Sequence, residues 1–343
     1  MSDEVSTTRA VVLQHQTAQS GPVAEDFAIE SLLLSPLAAG QLLVRNAYMS
    51  VDPSMRGRLG PTEKHYTTNF IPGQPLDGSA IGVVIASNDP SIAVGAAVRH
   101  RLGWREHAVV EAAAVTVHDP AVAPLNQWLG ALGQTGFTAY AGLLRTAEFV
   151  AGDAVFVSAA AGAVGSMVGQ FAKLLGASRV VGSAGGAAKC AVLTSELGFD
   201  AAFDYRSGPA ADLLREAAPD GIDVYFDNVG GEQLVAAIQA MNQNGRIALC
   251  GMISNFNPDN PRYDIGKLID VVLKRITIRG FIVRDHEDLR PEFEQQVSAW
   301  LRDGQLVSKD TIYDGLERAV EALFGVMTGA NVGKMLVRLD PAA

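Results

Sequence analysis

The sequence predicts an α/β protein of two domains, a β-rich one and a doubly wound parallel sheet, and three observations predict it. Beyond about residue 125, apolar runs alternate with helical patterns, giving six strand candidates with five helical segments between them. The first of those runs ends in a small-residue turn, VFVSAAAGAVG over 155–165, which opens directly into the helical pattern SMVGQFAKLLG. From Arg9 to about Pro124, by contrast, only short strand-like pieces occur, punctuated by Pro, Gly, Asp and Asn. At 343 residues the chain is also too long for a single small core.

In order, the β-rich part offers strands at 41–45, 80–86 and 96–99. The sheet part offers strands at 154–158, 179–182, 202–204, 224–228, 246–250 and 277–283. Helical patterns lie between them at 165–175, 187–197, 211–217, 231–240 and 265–273. A helix over 291–303, a short strand near Ile312, a helix over 316–328 and a strand over 334–339 close the chain. Six strands already fill a doubly wound sheet, so these last pieces are expected to return to the N-terminal part. The boundaries predicted are 1–127 with 309–343 for one domain and 128–308 for the other.

The turn after the first sheet strand points to a dinucleotide. Small residues let backbone N–H groups approach a pyrophosphate at a helix N-terminus. Against the pattern GxGxxG, Ala160 stands at the first position and Gly162 and Gly165 at the others. About 20 residues on, an NAD-binding unit would carry an acidic residue for the ribose hydroxyls. Here residues 183–186 read SAGG, no carboxylate occurs between Asp153 and Glu196, and Lys189 follows. That charge pattern favours a 2′-phosphate and therefore NADP(H).

Composition excludes several classes. With 27 basic against 37 acidic residues and a net charge of −10, nucleic acid and anionic membrane are disfavoured partners. No apolar run approaches the ~20 residues that cross a bilayer. Cys190 and Cys250 are the only cysteines and the N-terminus is polar, so a reducing cytoplasm is expected. Two distant cysteines and dispersed histidines do not write a zinc site, and no metal is expected.

Several motifs in order, AYMSVDPSMRG at 47–57, the turn at 159–165, DVYFDNVGG at 223–231, GRIALCG at 245–251 and GANVGK at 329–334, resemble the zinc-independent medium-chain dehydrogenase/reductases. Within that family the likeness is to NADPH-dependent 2-alkenal, prostaglandin and bacterial curcumin reductases. The resemblance implies a Rossmann-type sheet domain and a GroES-like catalytic domain. It places Gly162, Ala163, Val164 and Gly165 on the pyrophosphate and Ser183, Lys189 and Tyr205 around the 2′-phosphate. Asn228, Cys250, Phe281, Val283 and Asn331 fall on the nicotinamide half, Cys250, Phe281 and Val283 through their backbones. Plainer roles stay open: Lys189 as a solvated helix lysine, Tyr205 as a loop cap, Tyr48 as packing under its loop.

The implied reaction is hydride addition to the β-carbon of an α,β-unsaturated aldehyde or ketone, which calls for an electrophile at the developing enolate. Tyr48 is the first candidate for that substrate-side role, followed by Tyr66 and Tyr263, and Arg56 is a candidate anchor of the 47–57 loop. Leu273 and Ser54 stand where many relatives carry aromatic residues, a departure that bears on the proton donor and the pocket shape. A largely apolar pocket between the domains, walled by Tyr48, Tyr66, Phe256, Tyr263 and Phe281, would suit a hydrophobic enone or enal. Quinone reduction and a non-catalytic NADPH-binding role are the alternatives. A homodimer pairing across the 277–283 strand is implied by resemblance.

Overall fold

A computed structural model describes residues 6–17, 21–60, 67–256 and 269–341. They divide into two compact units, Met1–Gly130 with Asp310–Ala343, and Ala131–Lys309. The first unit opens with β1 (Thr7–Leu13), paired antiparallel with β2 (Phe27–Leu33). There follow β3 (Gln41–Ser50), α1 (Met55–Leu59), β4 (Ala80–Ser87), β5 (Ala97–His100), β6 (His107–Glu111) and β7 (Thr116–His118).

The second unit runs α2 (Gln134–Ala141), β8 (Ala154–Val157), α3 (Gly165–Leu174), β9 (Arg179–Ala184), α4 (Ala187–Ser195), β10 (Ala201–Asp204), α5 (Ala210–Ala217), β11 (Ile222–Asp227), α6 (Gly231–Ala240), β12 (Met241–Leu249), α7 (Ile269–Lys274), β13 (Thr277–Gly280) and α8 (Arg290–Arg302). The chain closes in the first unit with β14 (Asp310–Asp314), α9 (Ala319–Thr328) and β15 (Lys334–Arg338).

In the second unit the strand order is β10-β9-β8-β11-β12-β13, parallel throughout. The order reverses between β8 and β11, and ligands of such sheets bind beyond the carboxyl ends of those strands. Being covered on both faces, the central strands carry continuous apolar runs: Val155, Phe156 and Val157 in β8 and Val224, Tyr225 and Phe226 in β11 are buried. In the first unit β15 pairs antiparallel with β3, so the C-terminal strands extend the sheet that the 47–57 motif enters. On β3, Leu42 and Val44 face a cluster with Val84, Val98 and Val110, while Met49 joins a second core under α9 with Trp104 and Leu323.

Several boundaries differ from expectation, each where pairing overrides local pattern. The strand expected at 41–45 runs on to Ser50, because β4, β6 and β15 pair along its length, and so it absorbs Tyr48. The strand expected at 179–182 reaches Ala184 through pairing with β10, which carries Ser183 into the sheet. The strand expected at 277–283 stops at Gly280, and Val283 begins a 3₁₀ segment. No helix among the described residues is long and apolar enough to cross a membrane.

Candidate active site

Beyond β8 the chain turns through Ala159 at φ 47°. Ala160 N–H donates to the Ser183 carbonyl at 2.9 Å, and Gly162 N–H to the Ala159 carbonyl at 3.0 Å. At Gly165 an added Cβ would lie 2.5 Å from the Ala159 carbonyl oxygen, so a glycine is required there. α3 starts at that residue with Val164 as its N-cap and no side chain capping it. Ser166 N–H closes onto the Gly162 carbonyl and Met167 N–H onto the Val164 carbonyl, both at 3.0 Å, so Ala163, Val164 and Gly165 present the N–H groups left for a ligand at the positive end of the helix dipole. Half-buried Gly162, Ala163 and Val164 border the opening. A diphosphate is the group this cradle fits.

The end of β9 requires one correction. Ser183 is fully buried and its hydroxyl donates to the Gln233 amide oxygen on α6, so it faces the interior and not a phosphate at the surface. Charge is supplied instead by Lys189, half-buried on α4, and by Arg206, which follows Tyr205 just past β10. A Cβ on Gly185 would come 3.1 Å from the Arg206 guanidinium and 3.2 Å from the Tyr205 ring. Burial, and after it the charge of Arg206, holds the Lys189 ammonium below its usual pKa. Two cations crowding each other in this way would be relieved by a 2′-phosphate. Asp204 accepts backbone N–H groups from Arg206 and Gly186, which holds its carboxyl below the usual range and fastens the β10 turn to the β9 turn. Sequence reasoning missed Arg206, which comes to the end of β9 only through the pairing of β10 with that strand.

At the end of β11, Asn228 donates its side-chain amide to the Ser158 carbonyl at 2.8 Å and its backbone N–H to the Ser158 hydroxyl at 2.9 Å. The Cys250 and Gly251 N–H groups both donate to the Asp227 carbonyl, at 2.9 and 3.0 Å. This leaves the Cys250 carbonyl as the main-chain group able to meet a ligand. Burial, with the nearby Asp227 charge, pushes the Cys250 thiol up to about 12, so it is no thiolate nucleophile. The Phe281 ring packs inward, 6.2 Å from Phe226, and a Cβ on Gly142 would fall 2.5 Å from it. Phe281 and Val283, both half-buried, lie just beyond β13.

In the first unit, Tyr48 is buried on β3 directly across from Arg338 of β15, whose guanidinium is paired with Asp314. Burial at a strand junction favours the packing role left open for Tyr48. The anchor of α1 is Arg58 and not Arg56. Arg58 grips Asp77 through two contacts of 2.7 Å, donates to the Thr68 carbonyl at 2.7 Å and stacks 3.8 Å over Phe70.

The Val51–Asp52 corner is held by Lys334, which is buried and lies 3.0 Å from the Val51 carbonyl and 3.0 Å from the Asp52 carboxylate. Burial alone would raise the Asp52 carboxyl, but Lys334 and the Ser50 hydroxyl outweigh it and hold it low. Asn331 donates its amide to the Gly333 carbonyl at 2.7 Å, closing the turn before β15. Tyr66 and Tyr263 lie outside the described residues, as does the side chain of Phe256. Among the described residues no group of three His, Cys, Asp or Glu side chains is placed to hold a metal ion.

Known proteins match this architecture along nearly its whole length. Residues 9–117 match the N-terminal domain of oxidoreductases, and residues 163–301 match a family described as zinc-binding dehydrogenase. The chain is 38% identical to a 2-alkenal reductase (NADP(+)-dependent) of Nicotiana tabacum, over 99% of each chain. It is 37% identical to the NADPH-dependent curcumin reductase of Escherichia coli, over 93% of each. CurA from Vibrio vulnificus, also solved in complex with NADPH, superposes with a TM-score of 0.90 at 35% identity, covering 98% of this chain and 100% of that one. The chain therefore belongs to the zinc-independent, NADP-dependent oxidoreductases of the medium-chain dehydrogenase/reductase family.

Proposed function

We propose that this protein uses NADPH to reduce the carbon–carbon double bond of hydrophobic α,β-unsaturated aldehydes or ketones. The observation that carries the reading is the uncapped start of α3 behind a glycine-dependent turn, with Lys189 and Arg206 gathered at the neighbouring strand ends. NADPH, when bound, supplies the hydride for the substrate's β-carbon. The turn of Gly162, Ala163, Val164 and Gly165 would hold its diphosphate, the last three through their N–H groups and Gly162 by leaving room for close approach, and Lys189, Tyr205 and Arg206 its 2′-phosphate. Asn228, the Cys250 carbonyl, the backbone of Phe281 and Val283, and Asn331 are assigned to the nicotinamide half. The substrate oxygen needs a hydrogen-bond donor as negative charge develops on it. Tyr48, Tyr66 and Tyr263 are the side chains proposed for that donor, with burial on β3 weighing against Tyr48.

The acceptor class is supported by the likeness to the tobacco 2-alkenal reductase and the bacterial curcumin reductase. Purified protein, NADPH and a panel of 2-alkenals, aromatic enones and quinones test the reading, with products identified by mass spectrometry. A saturated aldehyde or ketone is expected. Hydroquinone as the sole product, or no NADPH consumption with any acceptor, would sink it.

We infer a homodimer as well, joined across β13. That edge strand is exposed along its length and stands near the exposed Ile269, Val272 and Leu273 of α7. Light scattering on the purified protein tests this, and a monomer at all concentrations would refute it. The two unpaired cysteines fit a reducing cytoplasm.

A further inference from the structure

Asp227 ends β11, the strand beside the point where the sheet order reverses, and it is fully buried. One carboxylate oxygen, Oδ1, collects four donors: the Tyr225 hydroxyl at 2.7 Å, Gly230 N–H at 2.7 Å, Val229 N–H at 2.9 Å and the Ser158 hydroxyl at 3.2 Å. The other oxygen, Oδ2, is buried and has no partner among the described residues. The backbone carbonyl of the same residue accepts the N–H groups of Cys250 and Gly251. Three turns thus converge on Asp227: the one after β8 through Ser158, its own through Val229 and Gly230, and the one after β12 through Cys250 and Gly251.

Stability does not account for a charge here. A neutral amide would offer the same oxygen to the same donors without the cost of desolvating a carboxylate. What the charge adds is strength in each of the four bonds. Those bonds select one conformation of a backbone that glycine leaves free to adopt several, Gly230 and Gly231 sitting at φ 72° and 58°. The Ser158 hydroxyl that donates to Asp227 in turn accepts the Asn228 N–H, so the carboxylate also fixes Asn228 at one remove.

We propose that Asp227 is a positioning residue that locks the three ligand-facing turns of the nucleotide sheet into one arrangement, preorganised for the coenzyme. The proposal rests on the reading of that face as the NADPH site. Asp227 touches neither coenzyme nor substrate and acts through Ser158, Asn228 and the backbone of Val229, Gly230 and Cys250.

The test is NADPH titration by fluorescence, with steady-state kinetics and thermal melting, on wild type, Asp227→Asn, Ser158→Ala, the double variant, and Leu214→Ala as a control. Leu214 lies on α5 in the core shared with α6 and β11 and makes none of the Asp227 bonds, so its truncation lowers stability through a cavity and leaves those bonds in place. Asp227→Asn is expected to weaken NADPH binding at least tenfold and to raise the KM for NADPH more than it lowers kcat. Ser158→Ala should weaken binding about threefold alone and add little in the Asp227→Asn background, because both act in one network. Leu214→Ala should lower Tm with an unchanged NADPH Kd.

If Asp227→Asn melts lower yet binds NADPH as wild type does, the carboxylate is structural only and the proposal is wrong. Should Asp227→Asn fail to fold, Ser158→Ala decides, and unchanged affinity there is equally fatal. Failure of the wild type to bind NADPH would instead overturn the reading of the site, and this inference with it.

Discussion

The two units solve the problem of holding a loop by opposite means. In the nucleotide unit the ligand face is made of backbone: an uncapped helix start, a turn that admits only glycine, and N–H groups gathered onto one carboxylate oxygen. In the other unit a buried Lys334 paired with the partly exposed Asp52, and a buried Arg58 clasped to Asp77, pin the 47–57 motif and α1. Backbone construction depends on the absence of side-chain atoms at the turn and, through Asp227, on one carboxylate that gathers the neighbouring N–H groups. Construction from buried charge fails when one partner is removed, because the other is left unpaired in a poor solvent.

The largest expected effect therefore lies in the first unit. Lys334→Ala leaves the Val51 carbonyl and the Asp52 carboxylate without their cation and should cost ~3 kcal/mol of stability, the low end of the range for breaking a buried pair because water reaches Asp52. Denaturant unfolding measures it. A loss below about 1 kcal/mol would mean that water replaces the ammonium and that the contrast between the units is overdrawn.

Next comes pH. His100 of β5 is buried, with its Nε2 2.8 Å from the Asn46 side-chain oxygen and its Nδ1 accepting the Leu102 N–H at 3.1 Å. Accepting at Nδ1 places the proton on Nε2. Burial first, and the Arg105 charge after it, depress its pKa to about 4. The unfolded chain takes up this proton near pH 6.5 and the folded chain only near 4, so the imidazole's contribution is complete above pH 6.5 and is lost as pH falls toward 4. The loss is on the order of 3 kcal/mol. His100→Gln should flatten the slope of stability against pH in that window, and an unchanged slope would show that other groups set it.

How much of this was legible in the sequence follows the same division. The turn at 159–165 announced itself because a backbone site needs small residues at fixed spacing between a strand and a helix, and that spacing survives in a linear text. Lys189 was legible because no carboxylate competed with it nearby. Arg206 was not, since it reaches Lys189 only after β10 lies beside β9, and strand adjacency is not written locally. Ser183 misled for a related reason. Pairing with β10 extends β9 and turns the hydroxyl into the sheet interior, toward Gln233 50 residues away. In the first unit Lys334 and Asp52 stood in two of the quoted motifs, but their pairing spans 282 residues and has no local signature. Tyr48 looked like a loop residue until β15 came to lie beside it.

A smaller effect tests the cation pair. Removing either Lys189 or Arg206 should weaken NADPH about tenfold to a hundredfold, the worth of one charge-assisted hydrogen bond, and should change NADH less than twofold. Paired titrations with the two coenzymes measure it. Arg206→Ala is the sharper of the two, because it also removes the charge that depresses Lys189. If it weakened both coenzymes alike, Arg206 would be bracing the turn at Gly185 and not reading a phosphate.

The smallest expected effect is at Cys250, where a side chain sits inside a site that works through backbone. Its N–H is committed to the Asp227 carbonyl at 2.9 Å and its thiol is held protonated, with a pKa near 12. Cys250→Ala keeps both the N–H and the carbonyl, so kcat and the KM for NADPH should stay within about twofold of wild type, a change below ~0.5 kcal/mol. Alkylation is a different perturbation, because it adds bulk next to the Asp227 network without altering the backbone. Turnover lost on alkylation but kept in Cys250→Ala would locate the thiol against the ligand face as a steric neighbour only. A tenfold loss of kcat in Cys250→Ala would mean that the sulfur itself meets a reacting atom, and the rule that this unit recognises its ligand through main-chain groups would fail at its centre.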